Sequence, residues 1–123
     1  MINPKYYELI KILADKTKND KLKWEITEES GMYQATLIPI SFRIYKKNIN
    51  FEEDFILSIH NEEGEEVDSF SDRDFRTQNF ANGVPPIFFG NYNEIKNLYE
   101  LARRSALGTD KLVNEALDAL NKL

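Results

Sequence analysis

Residues 55–70 read FILSIHNEEGEEVDSF, and this stretch decides the fold. Apolar side chains occupy alternate positions in its first half, namely Phe55, Leu57 and Ile59. That alternation is typical of a strand with one buried face. The tetrapeptide at 61–64, Asn-Glu-Glu-Gly, is typical of a longer hairpin turn that places Gly64 in the left-handed region. Residues 65–70 then form the return strand of an antiparallel hairpin.

Upstream of the hairpin the same alternation continues, which predicts a meander. The alternation occurs in residues 23–27, 33–37 and 40–45. We therefore expect one face of the sheet to be apolar and the other to be exposed to solvent. Pro39 interrupts the last two segments and indicates a bend, an edge or a bulge. Before the meander, Asn3 and Pro4 open a segment with helical spacing that ends near Lys18.

Downstream, residues 71–93 have the least regular pattern of the chain. Ser71 or Asp72 is expected to cap a short helical turn there, and a connection of this length is often functional. Two helical apolar stripes follow, separated by Gly108, which suits the position after a helix end. The second stripe consists of Leu112, Val113, Ala116, Leu117 and Leu120.

These elements predict one α+β domain over residues 1–123. It has an antiparallel β-meander of four to five strands, an N-terminal helix and a C-terminal helical hairpin. The composition agrees, since 123 residues with 41% hydrophobic and 30% charged side chains and no cysteine describe one globular domain. Disordered chains, collagens and disulfide scaffolds are excluded. No apolar run reaches the roughly 20 residues of a membrane helix, and no signal peptide precedes the domain, so we expect a cytoplasmic protein without membrane contact.

The charge is distributed unevenly. Residues 51–75 hold ten acidic side chains and one basic side chain, Arg73, in a chain of net charge -5. A nucleic-acid binder would show a basic stripe, so no direct nucleic-acid partner is expected. The acidic block at 52–74 is either a solvated hairpin or a face for a basic protein partner.

Catalytic and metal-binding patterns are missing from the sequence. His60 is the only histidine, which argues against a zinc site in a chain without cysteine. No nucleophile motif, P-loop or dinucleotide fingerprint occurs. Asp72 and Asp74 suggest a Mg²⁺ pair, but a helix cap beside an exposed acid explains them better. We therefore expect no enzyme activity, no metal and no cofactor.

One set of residues has the composition of a nucleotide site. Guanidinium groups bind phosphate, aromatic rings stack on a base, and an amide reads the base edge. The candidate ligand-binding residues are Arg73, Phe75, Arg76, Phe80, Asn82, Arg103 and Arg104. They predict a pocket where residues 71–93 meet the helix that carries the two adjacent arginines. The alternatives stay open: an arginine near a helix end also interacts with the helix dipole, and phenylalanines also fill cores.

Two stretches carry a family resemblance: FILSIHNEEGEEVDSFSD at 55–72 and LYELARRSALGTDKLVNEALDAL at 98–120. They resemble a group of small, poorly characterised bacterial and phage proteins with a tryptophan-bearing first strand, an acidic glycine turn and an Ala-Arg-Arg-x-Ala-Leu helix. The likeness covers roughly residues 20–123 and implies the fold more than an activity. Because such proteins are encoded by mobile elements and phages, it implies a non-enzymatic role in defence, counter-defence or toxin neutralisation.

The layout is also similar to that of phage proteins that sequester nucleotide immune signals, the Thoeris anti-defence sponges, which implies a homo-oligomer. The leading hypothesis is a binding protein of bacterial–phage conflict that captures a small phosphorylated or nucleotide immune-signal ligand. The alternative is an acidic immunity or antitoxin-type inhibitor that binds a basic toxin or nuclease through its 52–74 face. A third hypothesis is an assembly adaptor without a ligand.

Overall fold

The structure, a computed structural model, describes residues 4–75 and 93–123. In chain order they form α1 (Lys5–Lys18), β1 (Glu25–Ile26), β2 (Tyr33–Leu37), β3 (Ile40–Ile49), β4 (Glu52–His60), β5 (Glu66–Ser71), α2 (Glu94–Leu107) and α3 (Thr109–Asn121). The strands form one antiparallel sheet in the order β1-β2-β3-β4-β5. The predicted α+β class and meander are confirmed. Within the described ranges, no helix has the length and apolar character needed to cross a membrane.

The register of the sheet follows the apolar alternation. Ile44 pairs with Leu57, and Leu57 pairs in turn with Phe70, so these three side chains share one face. All three are buried. A slip of one residue would turn this whole set toward water, which fixes the register. Pro39 lies in the turn between β2 and β3.

Asn61 organises the turn between β4 and β5. Its side-chain oxygen accepts the backbone N–H groups of Glu63 at 3.1 Å and Glu65 at 3.0 Å. Its own carbonyl accepts the Gly64 N–H at 3.0 Å. Gly64 has φ 81°, in the left-handed region that the sequence pattern predicts. The hairpin prediction is therefore confirmed down to its glycine.

Helices α1 and α2 pack against each other, and α2 also contacts β1 to β4. At the other end of the sheet the Tyr6 ring of α1 stacks on Phe70, with ring centroids 4.6 Å apart. The Tyr6 hydroxyl donates to the Asp68 carboxylate, and this hydrogen bond raises the pKa of Tyr6. The two helices thus cover one face of the sheet, which becomes the core.

Trp24, just before β1, is buried, with 2% of its surface exposed. Its indole Nε1–H donates to the Thr17 hydroxyl at 2.9 Å, and that hydroxyl donates to the Leu13 carbonyl at 2.7 Å. The backbone N–H of Trp24 donates to the Ser105 hydroxyl of α2 at 3.0 Å. Hydroxyl groups of both helices therefore hold the start of the sheet.

Two aspartates after β5 act as helix caps. The Ser71 hydroxyl accepts the Asp74 N–H at 3.2 Å, and the Asp74 carboxylate accepts the Ser71 N–H at 2.9 Å. This reciprocal capping box starts the helical turn at 72–75. Asp72 instead caps α2: its two oxygens accept the N–H groups of Ile95 at 2.9 Å and Lys96 at 3.0 Å. The expectation of a cap beside an exposed acid agrees with these contacts.

Of the two C-terminal helices, α2 contributes buried residues to the core, whereas α3 contributes none among the residues that the structure describes. Gly108, at φ 63°, ends α2 in the left-handed conformation, and α3 begins at the next residue. Within the described part of the chain, no residue of α3 is buried. The apolar stripe predicted for this helix is present, but it adds nothing to the core.

Candidate functional site

A groove of about 450 Å³ lies where the end of α1, the segment before β1 and the α2–α3 junction meet. Its charged lining side chains are four cations and two acids: Lys18, Lys23, Arg104, Lys111, Asp20 and Asp110. The groove is therefore cationic in a protein of net charge -5. Three other grooves on the described residues have balanced or acidic linings. We call this site the cationic groove.

Arg104 lies at the centre of the charge pattern. Its Nη2 donates to the Asp110 carboxylate at 2.6 Å, across the sharp turn at Gly108. The side chain is 47% exposed. A guanidinium carries five N–H donors in a planar fork. Arg104 can therefore bind an incoming anion while Asp110 holds its orientation.

The floor of the cationic groove is tied to the core. Thr17 and Ser105 both line it, and they are the two residues whose hydroxyl groups accept hydrogen bonds from Trp24. Trp24 and Thr17 are buried. The groove thus combines a fixed floor with charged side chains at its rim, and its cations come from α1, the α1–β1 segment, α2 and α3.

The four predicted ligand-binding residues that the structure describes do not converge on one place. Phe75 is 3% exposed and packs on Tyr7 and Phe70, which supports its role in the core. Arg103 makes an ion pair with Glu100 at 3.3 Å and does not line the cationic groove. Three further predicted residues lie outside the described residues: Arg76, Phe80 and Asn82.

Arg73 lies at the other end of α2 from Arg104. It follows Asp72, which caps Ile95, and nine residues of helix separate Ile95 from Arg104, or about 14 Å of axial rise. Arg73 lines a separate groove of about 250 Å³ on the face of the sheet opposite α1 and α2, and its backbone N–H donates to the Asp54 carboxylate. The backbone N–H groups of Ile95 and Lys96, in the first turn of α2, bind the Asp72 carboxylate.

The lysines of the cationic groove are missing from the sequence-based site. Lys18 and Lys23 belong to a basic run at the end of α1, KTKNDKLK at 16–23. This basic run was the sequence signal that could have pointed to a cationic site at the end of α1. Lys111 lies far along the chain, and only the fold brings it to the same groove.

His60 lies on the same face of the sheet as Ser58, opposite α1 and α2. Its Nε2 is 2.9 Å from the Ser58 hydroxyl, and its Nδ1 is 3.3 Å from the Gly64 carbonyl. The spacing of two residues along one strand was the sequence signal for this pair. A serine beside a histidine is one component of nucleophilic catalysis, but Ser58 is 1% exposed and lies within reach of the Arg43 carbonyl. The pair therefore links β4 to its turn.

Other chemistry finds little support in the described ranges. No group of three or more histidine, aspartate or glutamate side chains is placed there to hold a metal ion. No family model, curated protein or solved structure matches the chain. The cationic groove and the exposed faces of the molecule are the features that bear on its function.

Proposed function

We propose that the protein is a non-enzymatic binding protein that captures a small phosphorylated ligand in the cationic groove. The observation that carries the proposal is the gathering of Lys18, Lys23, Arg104 and Lys111 around one groove of an acidic protein. Phosphate groups bind to guanidinium forks and ammonium groups through short, charge-assisted hydrogen bonds.

The dimensions of the groove suit a ligand of this class. Its volume of about 450 Å³ lies within the range of small-molecule sites, roughly 300–1,000 Å³. Its described lining contains no aromatic side chain, so recognition of a nucleotide depends here on its phosphates more than on base stacking. Cyclic dinucleotides, linear nucleotides and polyphosphates are the ligands to compare. The setting that we propose, capture of an immune signal in bacterial–phage conflict, rests on the resemblance of residues 55–72 and 98–120.

The test is titration calorimetry with a thermal-shift screen at low ionic strength. The probes are inorganic phosphate, pyrophosphate, ATP, cyclic dinucleotides and cyclic ADP-ribose species. A ligand that binds only the folded state raises the melting temperature, and the rise grows with the logarithm of the ligand concentration above the dissociation constant. We expect binding that weakens as salt is added, because the contacts are charged.

Variants locate the site. Arg104→Ala should weaken binding by about 1.5–3 kcal/mol per charged hydrogen bond lost, and Arg104→Lys should restore it only in part. The matched control is Arg103→Ala, which removes the adjacent arginine outside the groove. Equal effects of the two alanine variants, or no binding of any probe, would contradict the proposal. Arg104→Ala also releases the Asp110 carboxylate, and that negative charge by itself weakens anion binding. Lys23→Gln removes a cation of the groove and leaves the Arg104–Asp110 pair in place, so it tests the site without this second effect.

A second candidate function is inhibition of a basic macromolecule by the acidic hairpin. Glu62, Glu63, Glu65 and Glu66 are all exposed around the β4–β5 turn, whereas Asp54 and Asp72 are buried in hydrogen bonds. Two of the ten acids of the 52–74 block are therefore withdrawn from the surface, while Glu52, Glu53 and Asp74 near its ends stay exposed. The acidic hairpin lies at the β5 edge of the sheet, whereas the cationic groove lies near β1. Four strand spacings, or about 19 Å, separate these two strands. Reversing these four glutamates should abolish binding to a basic partner and leave phosphate binding intact.

A further inference from the structure

The C-terminal helix α3 leaves its apolar side in water. Leu112, Val113, Leu117 and Leu120 are each between 50% and 62% exposed, and Leu123 beyond the helix is fully exposed. Within the described ranges, α3 buries none of its residues. Large apolar patches on a folded protein usually mark an interaction surface.

The apolar and charged residues of α3 occupy separate sides. At 3.6 residues per turn, the stripe fits within an arc of about 140°. It consists of Leu112, Val113, Ala116, Leu117 and Leu120. The charged residues of the central turns, Glu115 and Asp118, lie on the opposite side. Asn114 and Asn121, which are uncharged, border the stripe on one side. A partner that covers the stripe therefore meets few charges.

The stripe is complementary to itself when two copies run antiparallel. Ala116 lies near the middle of the helix, which spans Thr109–Asn121. With the crossing point between 116 and 117, Val113 faces Leu120 of the partner subunit, and Ala116 faces Leu117 of the partner subunit. Each contact pairs a smaller side chain with a larger one, which favours interdigitation. Because the charges point away from the contact, two chains of net charge -5 can approach there without placing like charges together.

We propose that α3 is a dimerisation helix whose partner is α3 of a second copy of this chain, in a two-fold antiparallel pair that crosses near Ala116. A two-fold interface requires a patch that is complementary to itself, and this stripe has that property. The helix has 13 residues, so it is about 20 Å long and about 10 Å wide. It therefore buries less than the roughly 800 Å² per partner of a standard interface, and we expect a dissociation constant in the micromolar range. The proposal is independent of the cationic groove.

The first experiment measures mass against concentration. Sedimentation equilibrium of the full chain between about 1 and 500 μM should follow a monomer–dimer equilibrium. Leu117→Lys places a charge in the stripe and should raise the dissociation constant at least tenfold. Asp118→Lys changes the charge by more at the adjacent position, but on the opposite side of the helix, and should have little effect. Circular dichroism checks that both variants keep their helix, since lysine is a good helix former.

The second experiment uses the absence of cysteine from the chain. Ala116→Cys gives each molecule a single thiol beside the proposed two-fold axis, and mild oxidation should give a disulfide-linked dimer. Asp118→Cys gives a single thiol on the charged side and should link at least ten times more slowly. Equal rates for the two variants, a monomer at every concentration, or a dimer unaffected by Leu117→Lys would each overturn the proposal.

Discussion

The carboxylate of Asp72 accepts the backbone N–H of Ile95 at 2.9 Å, across 23 residues of chain. Its second oxygen accepts the N–H of Lys96 at 3.0 Å, and the side chain is 3% exposed. A negative charge at this point also interacts favourably with the dipole of α2. One side chain after β5 therefore joins the sheet to the helix that covers it.

Removal of this cap should destabilise the fold. Asp72→Ala leaves two backbone donors of α2 without their acceptor, and we expect a loss of about 1–3 kcal/mol in the free energy of unfolding. Asp72→Asn should lose less, since asparagine also caps helices well. Urea denaturation measures both, with Asp118→Ala as the exposed control. A control that destabilises as much as Asp72→Ala would contradict the capping role.

The Thr17 hydroxyl accepts a hydrogen bond from Trp24 in the core. Thr17→Val keeps the shape but removes this acceptor, so the buried indole N–H loses its partner. We expect a cost of about 1–3 kcal/mol, and Thr17→Ser, which keeps the hydroxyl, should cost less. Chemical denaturation followed by the fluorescence of Trp24, the only tryptophan, measures the difference. An equal loss in both variants would assign the effect to packing alone.

Gly64 adopts φ 81° with open space around its α-carbon. Substitution there is therefore limited by backbone conformation and not by contacts. Gly64→Val should destabilise by on the order of 1 kcal/mol or more, because β-branched residues resist positive φ. Gly64→Asn should cost less, since asparagine enters this region more easily. Melting temperatures test the order, and an unchanged value for the valine variant would contradict the turn geometry.

Burial raises the pKa of the Glu94 carboxyl above 4.5, and nearby Lys11 offsets part of that rise. The folded state therefore holds this proton more tightly than the unfolded state does. The stability that follows is fully present below about pH 4.5 and is lost as pH rises through the raised pKa. Glu94→Gln removes the titration, so its stability relative to the unmodified protein should increase from pH 4 to pH 7. Chemical denaturation of both proteins at the two pH values measures the trend, and an equal difference in stability at pH 4 and pH 7 would contradict it.

The glutamates around the β4–β5 turn are exposed and should contribute little to stability. Reversal of Glu62, Glu63, Glu65 and Glu66 to lysine should therefore leave the melting temperature within a few degrees of the original. The turn depends on Asn61 and Gly64, which are unchanged. Asn61→Ala is the contrasting variant and should destabilise the hairpin. A large loss of stability in the lysine variant would indicate that these acids have partners in the fold.

Local patterns predicted the elements well because local physics determines them. The alternation of Phe55, Leu57 and Ile59 and the left-handed Gly64 specify a hairpin wherever it lies in the chain. The same reasoning could give the apolar stripe of α3 but not its exposure, because a stripe shows which side of a helix avoids water and not what covers it.

The candidate site was harder to predict because it depends on distances through space. Arg73 and Arg104 carry the same charge, and the sequence assigned both to one pocket. In the structure Arg73 follows Asp72, which contacts the first turn of α2, whereas Arg104 lies in the last turn of that helix. In a sequence, a phenylalanine that stacks on a base cannot be told from one that fills a core. The burial of Phe75 places it in the core. Lys18 and Lys111 are 93 positions apart in sequence, so only the assembled fold could bring them to the cationic groove.

The Asp72–Ile95 contact also acts as a non-covalent cross-link between two points that are 23 positions apart in the chain. If the first turn of α2 unwinds, Asp72 loses the two N–H groups that satisfy its carboxylate, and if the chain after β5 moves away, α2 loses its cap. Opening one side of the contact therefore removes a reason for the other side to stay closed. We expect the end of β5 and the start of α2 to open as one cooperative unit, with matching rates of amide hydrogen exchange.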